Sequence, residues 1–109
     1  RYGPPKPESI PSNEQKIKNF LKSQNCYYVK YFGCGYSQAG VPDVLACVNG
    51  HFLAIEVKAE QGRVSELQRI NIERINDCGG VALVVKPSNF EELKQIIFKL
   101  KKWGIINEI

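Results

Sequence analysis

The chain has 109 residues, enough for one domain with a real core and too few for two. With 43% apolar and 24% charged residues it reads as globular rather than disordered, and it shows neither a run of ~20 apolar residues nor a signal-peptide pattern. The net charge of +4 suits a polyanionic partner and equally suits an ordinary soluble surface.

Four of the six prolines fall in residues 1–11, which are expected to form an extended arm, leaving residues 12–109 as the single domain. The absence of an initial Met is what a trimmed or truncated N-terminus would give. Ser12, with Gln15 three residues on, predicts a capped helix whose Ile17, Phe20 and Leu21 form an apolar stripe. Glu14 lies on that same inward side; a first-turn acid also suits the helix dipole, but the inner position favours a site role.

Tyr27 to Phe32 is aromatic and β-branched, so it predicts a strand. The glycine-rich stretch from Gly33 to Gly40 is not a phosphate loop, because no Gly-Lys-Ser/Thr follows it. Next come two apolar runs, Val44–Val48 and His51–Val57, separated by Asn49-Gly50. Asn-Gly tolerates the two positive φ angles of a type I′ turn, so the pattern predicts a hairpin. A two-residue turn sets Val48 opposite His51, Leu45 opposite Ala54 and Asp43 opposite Glu56.

Ser65 and Gln68 form a second capping box, opening a helix that runs to about Cys78 and stops at Gly79-Gly80. Val64, Leu67, Asn71, Ile75 and Cys78 share one face of it, and Gln68 points the same way. Val81 to Lys86 is a short, nearly all-apolar run, as expected of a buried strand reached by a helical crossover. Ser88 and Glu91 are expected to cap a third helix with Phe90, Leu93, Ile97 and Leu100 inward, and the tail from Trp103 to Ile109 is apolar enough to close the core or form an interface. The order helix, three strands, helix, strand, helix predicts an α/β fold with a mixed sheet flanked by helices.

The chemistry concentrates at the open end of the hairpin. Asp43 and Glu56 face each other across the ladder, where like charges are destabilising, and Lys58 shares the face of Glu56. Such an end suits a bound cation. Hard carboxylate oxygens are what Mg²⁺ prefers, with one or two carboxylates completed by waters and phosphate oxygens. His51, the sole histidine, sits at the turn end, roughly 23 Å along the strand from Lys58, so it is no ligand. Cys26, Cys34, Cys47 and Cys78 have neither C-x-x-C nor zinc-like spacing and are read as reduced thiols in an intracellular, cytoplasmic protein.

Gly40-x-Pro42-Asp43, then Glu56-x-Lys58, with Glu14 upstream and Ser65-x-x-Gln68 downstream, resembles the PD-(D/E)xK nuclease superfamily and within it the standalone VRR-NUC (virus-type replication-repair nuclease) branch. The resemblance covers about Ser12 to Lys86 and implies a restriction-endonuclease-like core. It also implies a Mg²⁺-dependent DNA endonuclease, with Mn²⁺ as substitute and no small-molecule cofactor. Glu14, Asp43, Glu56 and the Val57 carbonyl would be the metal ligands. Lys58 would position water and neutralise phosphate, and Gln68 would orient the site. Lys18, Arg63, Arg69, Lys99, Lys101 and Lys102 are the candidate DNA contacts.

By the same resemblance the expected substrate is branched DNA, a four-way (Holliday) junction first of all, cut by a homodimer. A flap or linear-duplex nuclease and a non-catalytic nucleic-acid-binding module are the alternatives. A phage or mobile-element source is compatible with the likeness.

Overall fold

The computed structural model describes residues 11–35 and 38–103. Most of the proline-rich arm, residues 1–10, and the apolar tail from 104 to 109 therefore lie outside the described residues.

Helix α1 (Asn13–Ser23) leads to strand β1 (Tyr27–Lys30), then β2 (Val44–Val48) and β3 (His51–Val57). Helix α2 (Glu66–Asp77), strand β4 (Val81–Val85), a 3₁₀ turn (Pro87–Asn89) and helix α3 (Phe90–Trp103) complete the order. The four strands lie side by side in sequence order. β1–β2 and β2–β3 are antiparallel, and β3–β4 is parallel, so the sheet is mixed as expected.

The hairpin register follows from the turn. Asn49 (φ 51°) and Gly50 (φ 87°) both take positive φ, and Val48 pairs with His51 and Leu45 with Ala54. Asn49 Nδ2 then donates to the carbonyls of Leu100 (3.1 Å) and Lys101 (2.9 Å), which the end of α3 would otherwise leave orphaned. The turn is thus locked to the far end of the last helix.

One sheet face carries the core. Val44, Ala46 and Val48 of β2, Leu53 and Ile55 of β3 and Val85 of β4 pack with Ile17 and Leu21 of α1 and Leu93 and Ile97 of α3. Each Val, Leu or Ile of this set contributes ~1.5–3 kcal/mol by leaving water, and Leu21→Ala would cost about 2–5 kcal/mol. The opposite face has α2 alone, and no residue of α2 is fully buried. Leu67 is half-exposed, Cys78 is exposed, and Tyr27, Val29, Cys47 and Phe52 lie open along β1, β2 and β3. The expected inward face of α2 is therefore only partly covered, because a single helix cannot span four strands.

Two local expectations change. Ser88 does not cap α3: Pro87 first sets a 3₁₀ turn, and Ser88 donates both its N–H (3.0 Å) and its hydroxyl (2.6 Å) to the Glu60 carboxylate. β4 is a sheet edge and only partly buried. Among the described residues no helix is long and apolar enough to cross a membrane.

Candidate active site

The open end of the hairpin gathers the chemistry. Pro42 is fully buried and fixes the chain just before β2, so that Asp43 leaves the sheet end at a set angle. Asp43 Oδ2 accepts from the Val57 amide at 2.9 Å, and its carbonyl accepts from the Tyr31 amide at 2.8 Å. The carboxylate is thereby tied across to β3 and the backbone back to β1. Gly40 (φ 82°) lets the approaching loop touch α2: a Cβ there would lie 2.7 Å from the Leu67 carbonyl and 2.9 Å from Asn71 Nδ2. Asn71 Nδ2 also donates to the Ala39 carbonyl at 3.2 Å, and Gln38 Nε2 donates to Asn71 Oδ1 at 3.3 Å.

Glu56 extends the alternation of β3 onto the α2 side and is only 2% exposed. Its Oε2 accepts from Gln68 Nε2 at 3.0 Å, while Gln68 also closes the capping box with Ser65. Both readings of Gln68, cap and inward group, therefore hold in one side chain. Lys58 Nζ stands 3.8 Å from Glu56 Oε2, and the Lys58 amide is anchored to the Val85 carbonyl at 3.0 Å. Among the described residues Glu56 Oε1 has no hydrogen-bond partner, and it is buried. Burial first, and then the Asp43 carboxylate beside it, push the Glu56 carboxyl up to about 7.

Glu14 reaches the same end from α1. Its Oε1 accepts from Lys30 Nζ at 2.7 Å and its Oε2 pairs with Lys18 Nζ at 3.0 Å. The Lys30 hydrogen bond holds Glu14 below the usual carboxylate range. The α1 N-terminus is pinned alongside, since Asn13 Nδ2 donates to the Val85 carbonyl at 3.2 Å. Between these elements lies a cleft lined by Ser12, Asn13, Glu14, Gln15, Val57, Lys58 and Ala59.

The donor set suits a hard divalent cation: three carboxylates and a strand end, with one carboxylate oxygen buried and unsatisfied. As they stand, however, no three acidic, histidine or cysteine side chains among the described residues converge tightly enough to enclose an ion. Lys30 stands between two of the expected ligands, 2.7 Å from Glu14 and 3.8 Å from Asp43.

Of the expected site residues, the structure brings Glu14, Asp43, Glu56, Val57, Lys58 and Gln68 to one end of the sheet. Among the basic candidates Lys18 is there, on Glu14, and Arg63 lies in the loop that joins Lys58 to Ser65 at the same end. Arg69 is held between Glu66 and Glu73 on the exposed side of α2. Lys101 donates to Gln24 at the turn end, Lys102 sits over the Trp103 ring, and both belong to the end of α3 that meets Asn49. Lys99 and Arg63 are exposed, with Lys99 in that same last stretch of α3. Lys30 went unread in the sequence, and Asn71 was read only as part of the inward face of α2. Lys30 pairs with Val44, which places it on the α1 side of the sheet, but the long β1–β2 connection gives no register signal.

No curated protein matches the chain significantly. Among solved structures it is similar to the Holliday junction resolvase Hjc of the archaeal hyperthermophile Archaeoglobus fulgidus, with 23% sequence identity and a TM-score of 0.52. The match covers 67% of this chain and 64% of that one, slightly under two thirds of the resolvase, and it speaks for the fold. The model of the VRR-NUC domain matches residues 14–89, which runs from the Glu14 carboxylate through the hairpin and α2 to the turn before α3. The chain belongs to the VRR-NUC family of nucleases.

Proposed function

We propose that the chain is a divalent-metal-dependent DNA endonuclease that cuts branched DNA, with the four-way junction as its substrate and a homodimer as its working form. The observation that carries the catalytic reading is Glu56. A carboxyl that is 2% exposed, faces a second carboxylate and leaves one oxygen without a donor among the described residues is costly for a structure with no use for it.

Glu14, Asp43 and Glu56, with the Val57 carbonyl, are the groups that would hold the ion. A divalent ion at this position supplies positive charge against phosphate and acidifies water. Asp43 is aimed by Pro42 and by the Val57 amide. Gln68 orients Glu56 by its hydrogen bond to Oε2, so that Oε1 is the oxygen that would serve a bound ion. Lys58 places an ammonium in the cleft beside Glu14, where it orients water and offsets phosphate charge.

Support for branched DNA comes from the likeness to a Holliday junction resolvase and from the small size of the domain, which favours recognition of phosphates and shape over base sequence. A four-way junction has two equivalent strands to cut, and this chain carries one candidate centre. A second copy supplies the other. The open sheet face suits that copy: Tyr27 is 72% exposed and Phe52 47%, with Cys47 between them in register and Val29 beside them on β1.

Cleavage of a four-way junction, a flap and a linear duplex, each with Mg²⁺, Mn²⁺ or EDTA, tests the reading. The junction is expected to be cut fastest, with no cutting in EDTA. Salt-sensitive binding without turnover in either metal would instead identify a non-catalytic binding module. For the dimer, mass in solution should correspond to two chains in the wild type and one in Phe52→Asp. A monomeric wild type overturns that part.

A further inference from the structure

Lys30 occupies a position that the nuclease reading leaves unassigned. It lies on β1, opposite Val44, so its side chain runs along the α1 side of the sheet to the end where the acids collect. Nζ donates to Glu14 Oε1 at 2.7 Å and lies 3.8 Å from Asp43 Oδ1, so one ammonium touches carboxylates from two elements. These are two of the three acids assigned to the ion, and no metal can approach both closely while the ammonium stays there. The charges also balance. Three lysines, Lys18, Lys30 and Lys58, stand against Glu14, Asp43 and Glu56. Only Lys30 bridges two acids; Lys18 holds the outer oxygen of Glu14, and Lys58 sits by Glu56.

A lysine is suited to such a place because it is a point charge on a flexible four-carbon stem, able to leave without disturbing the backbone. A way out is at hand: its side chain is 22% exposed, and the Phe32 ring, itself 79% exposed, lies 6.0 Å from Nζ.

We propose that Lys30 is an internal stand-in cation, a positioning residue that holds Glu14 and Asp43 together without metal and must be displaced before a divalent ion can bind. The inference rests on the metal-centre reading above. It makes ion affinity the difference between two competing cations rather than a property of the acids alone. Lys30 keeps the acids close enough to receive an ion and, by the same contact, weakens the affinity for it.

The test is calorimetric titration of Mn²⁺ into DNA-free protein, comparing wild type with Lys30→Gln and Lys30→Arg, alongside thermal melts in EDTA. Lys30→Gln should bind Mn²⁺ about tenfold more tightly, the equivalent of removing ~1.4 kcal/mol of competition, while melting lower in EDTA. Lys30→Arg should stay close to wild type in both. A merely structural lysine would lower the melt and leave Mn²⁺ affinity unchanged or weaker, and that result overturns the proposal. Equal affinity in wild type and Lys30→Gln, from a wild type that cuts DNA, overturns the Lys30 role alone. A wild type that takes up no Mn²⁺ overturns the metal centre and this role together.

Discussion

At its turn, the backbone of the β2–β3 hairpin is well settled: Asn49 and Gly50 accept their positive φ angles, and Asn49 Nδ2 donates to two carbonyls of α3, although His51 Nε2 next to it is buried without a partner among the described residues. At its open end the same two strands hold Asp43 beside Glu56, a buried oxygen without a donor, and three lysines crowded onto three acids. The backbone ladder is regular throughout, so the difference lies in the side chains. The turn end uses Asn49 to fasten the last helix, and the open end, on the proposed nuclease reading, keeps its acids for a ligand. A short β-hairpin can do both because its ends are far enough apart, roughly 20 Å, to be tuned separately.

Changes at the two ends should therefore separate activity from stability. The largest effect is expected at the open end, where Asp43→Ala or Lys58→Ala should slow junction cleavage by at least ~10³-fold while the protein stays folded. Either variant cutting at the wild-type rate, with Mg²⁺ present, would remove that residue from the site. Glu56→Gln should divide the two properties most plainly. It should stop cleavage, yet in EDTA at pH 8 it should raise the free energy of unfolding, on the order of 2 kcal/mol, by removing a charge buried against Asp43.

The dependence on pH follows from the same group. The folded Glu56 carboxyl keeps its proton up to about pH 7, against an ordinary value of 4.5. Between those values the folded state holds the extra proton, so stability in EDTA should fall as pH rises from 4.5 to about 7, then level off. Denaturant titrations across that range should show the slope in wild type and flatten it in Glu56→Gln. A wild-type slope of the opposite sign would show that Glu56 is not held protonated.

At the turn, Asn49→Ala should cost ~1–2 kcal/mol through the two lost carbonyl contacts and the positive φ, with the cleavage rate per folded molecule unchanged. Glu60→Ala should have the smallest effect, about 1 kcal/mol, since it releases only the exposed contacts that fasten the 3₁₀ turn. Loss of cleavage in either variant, at full folding, would contradict the division between the two ends.

The parts legible in the sequence were those governed by local rules. Asn-Gly fixed the register that puts Asp43 near Glu56, and Ser65-x-x-Gln68 placed the start of α2 to the residue. The matching cap on α1 formed only by half: Ser12 accepts from the Gln15 amide, while the Gln15 side chain turns away to Asn19. What stayed hidden depends on long connections. Thirteen residues separate β1 from β2, so nothing local told which face Lys30 takes or which strand residue it meets. The partial cover of α2 was equally hidden, because periodicity reports which side of a helix is apolar and not how much sheet stands opposite it. The inward set Val64, Leu67, Asn71, Ile75 and Cys78 has the right phase, yet Leu67 remains half-exposed.

Gly40 and Pro42 earn a different reading once their surroundings are known. Neither offers a reactive group: one clears the backbone of α2 and the other is buried at the strand start. A descendant of this chain that abandoned catalysis would still need both to fold, whereas the structural contacts of Asp43, to the Val57 amide and the Lys30 ammonium, are ones a neutral acceptor such as Asn could also make. On the proposed nuclease reading, the first letters of G-x-P-D thus report ancestry, and the last bears on activity. Sorting active from silent relatives should turn on that final letter, read together with the acid at 56 and the lysine at 58.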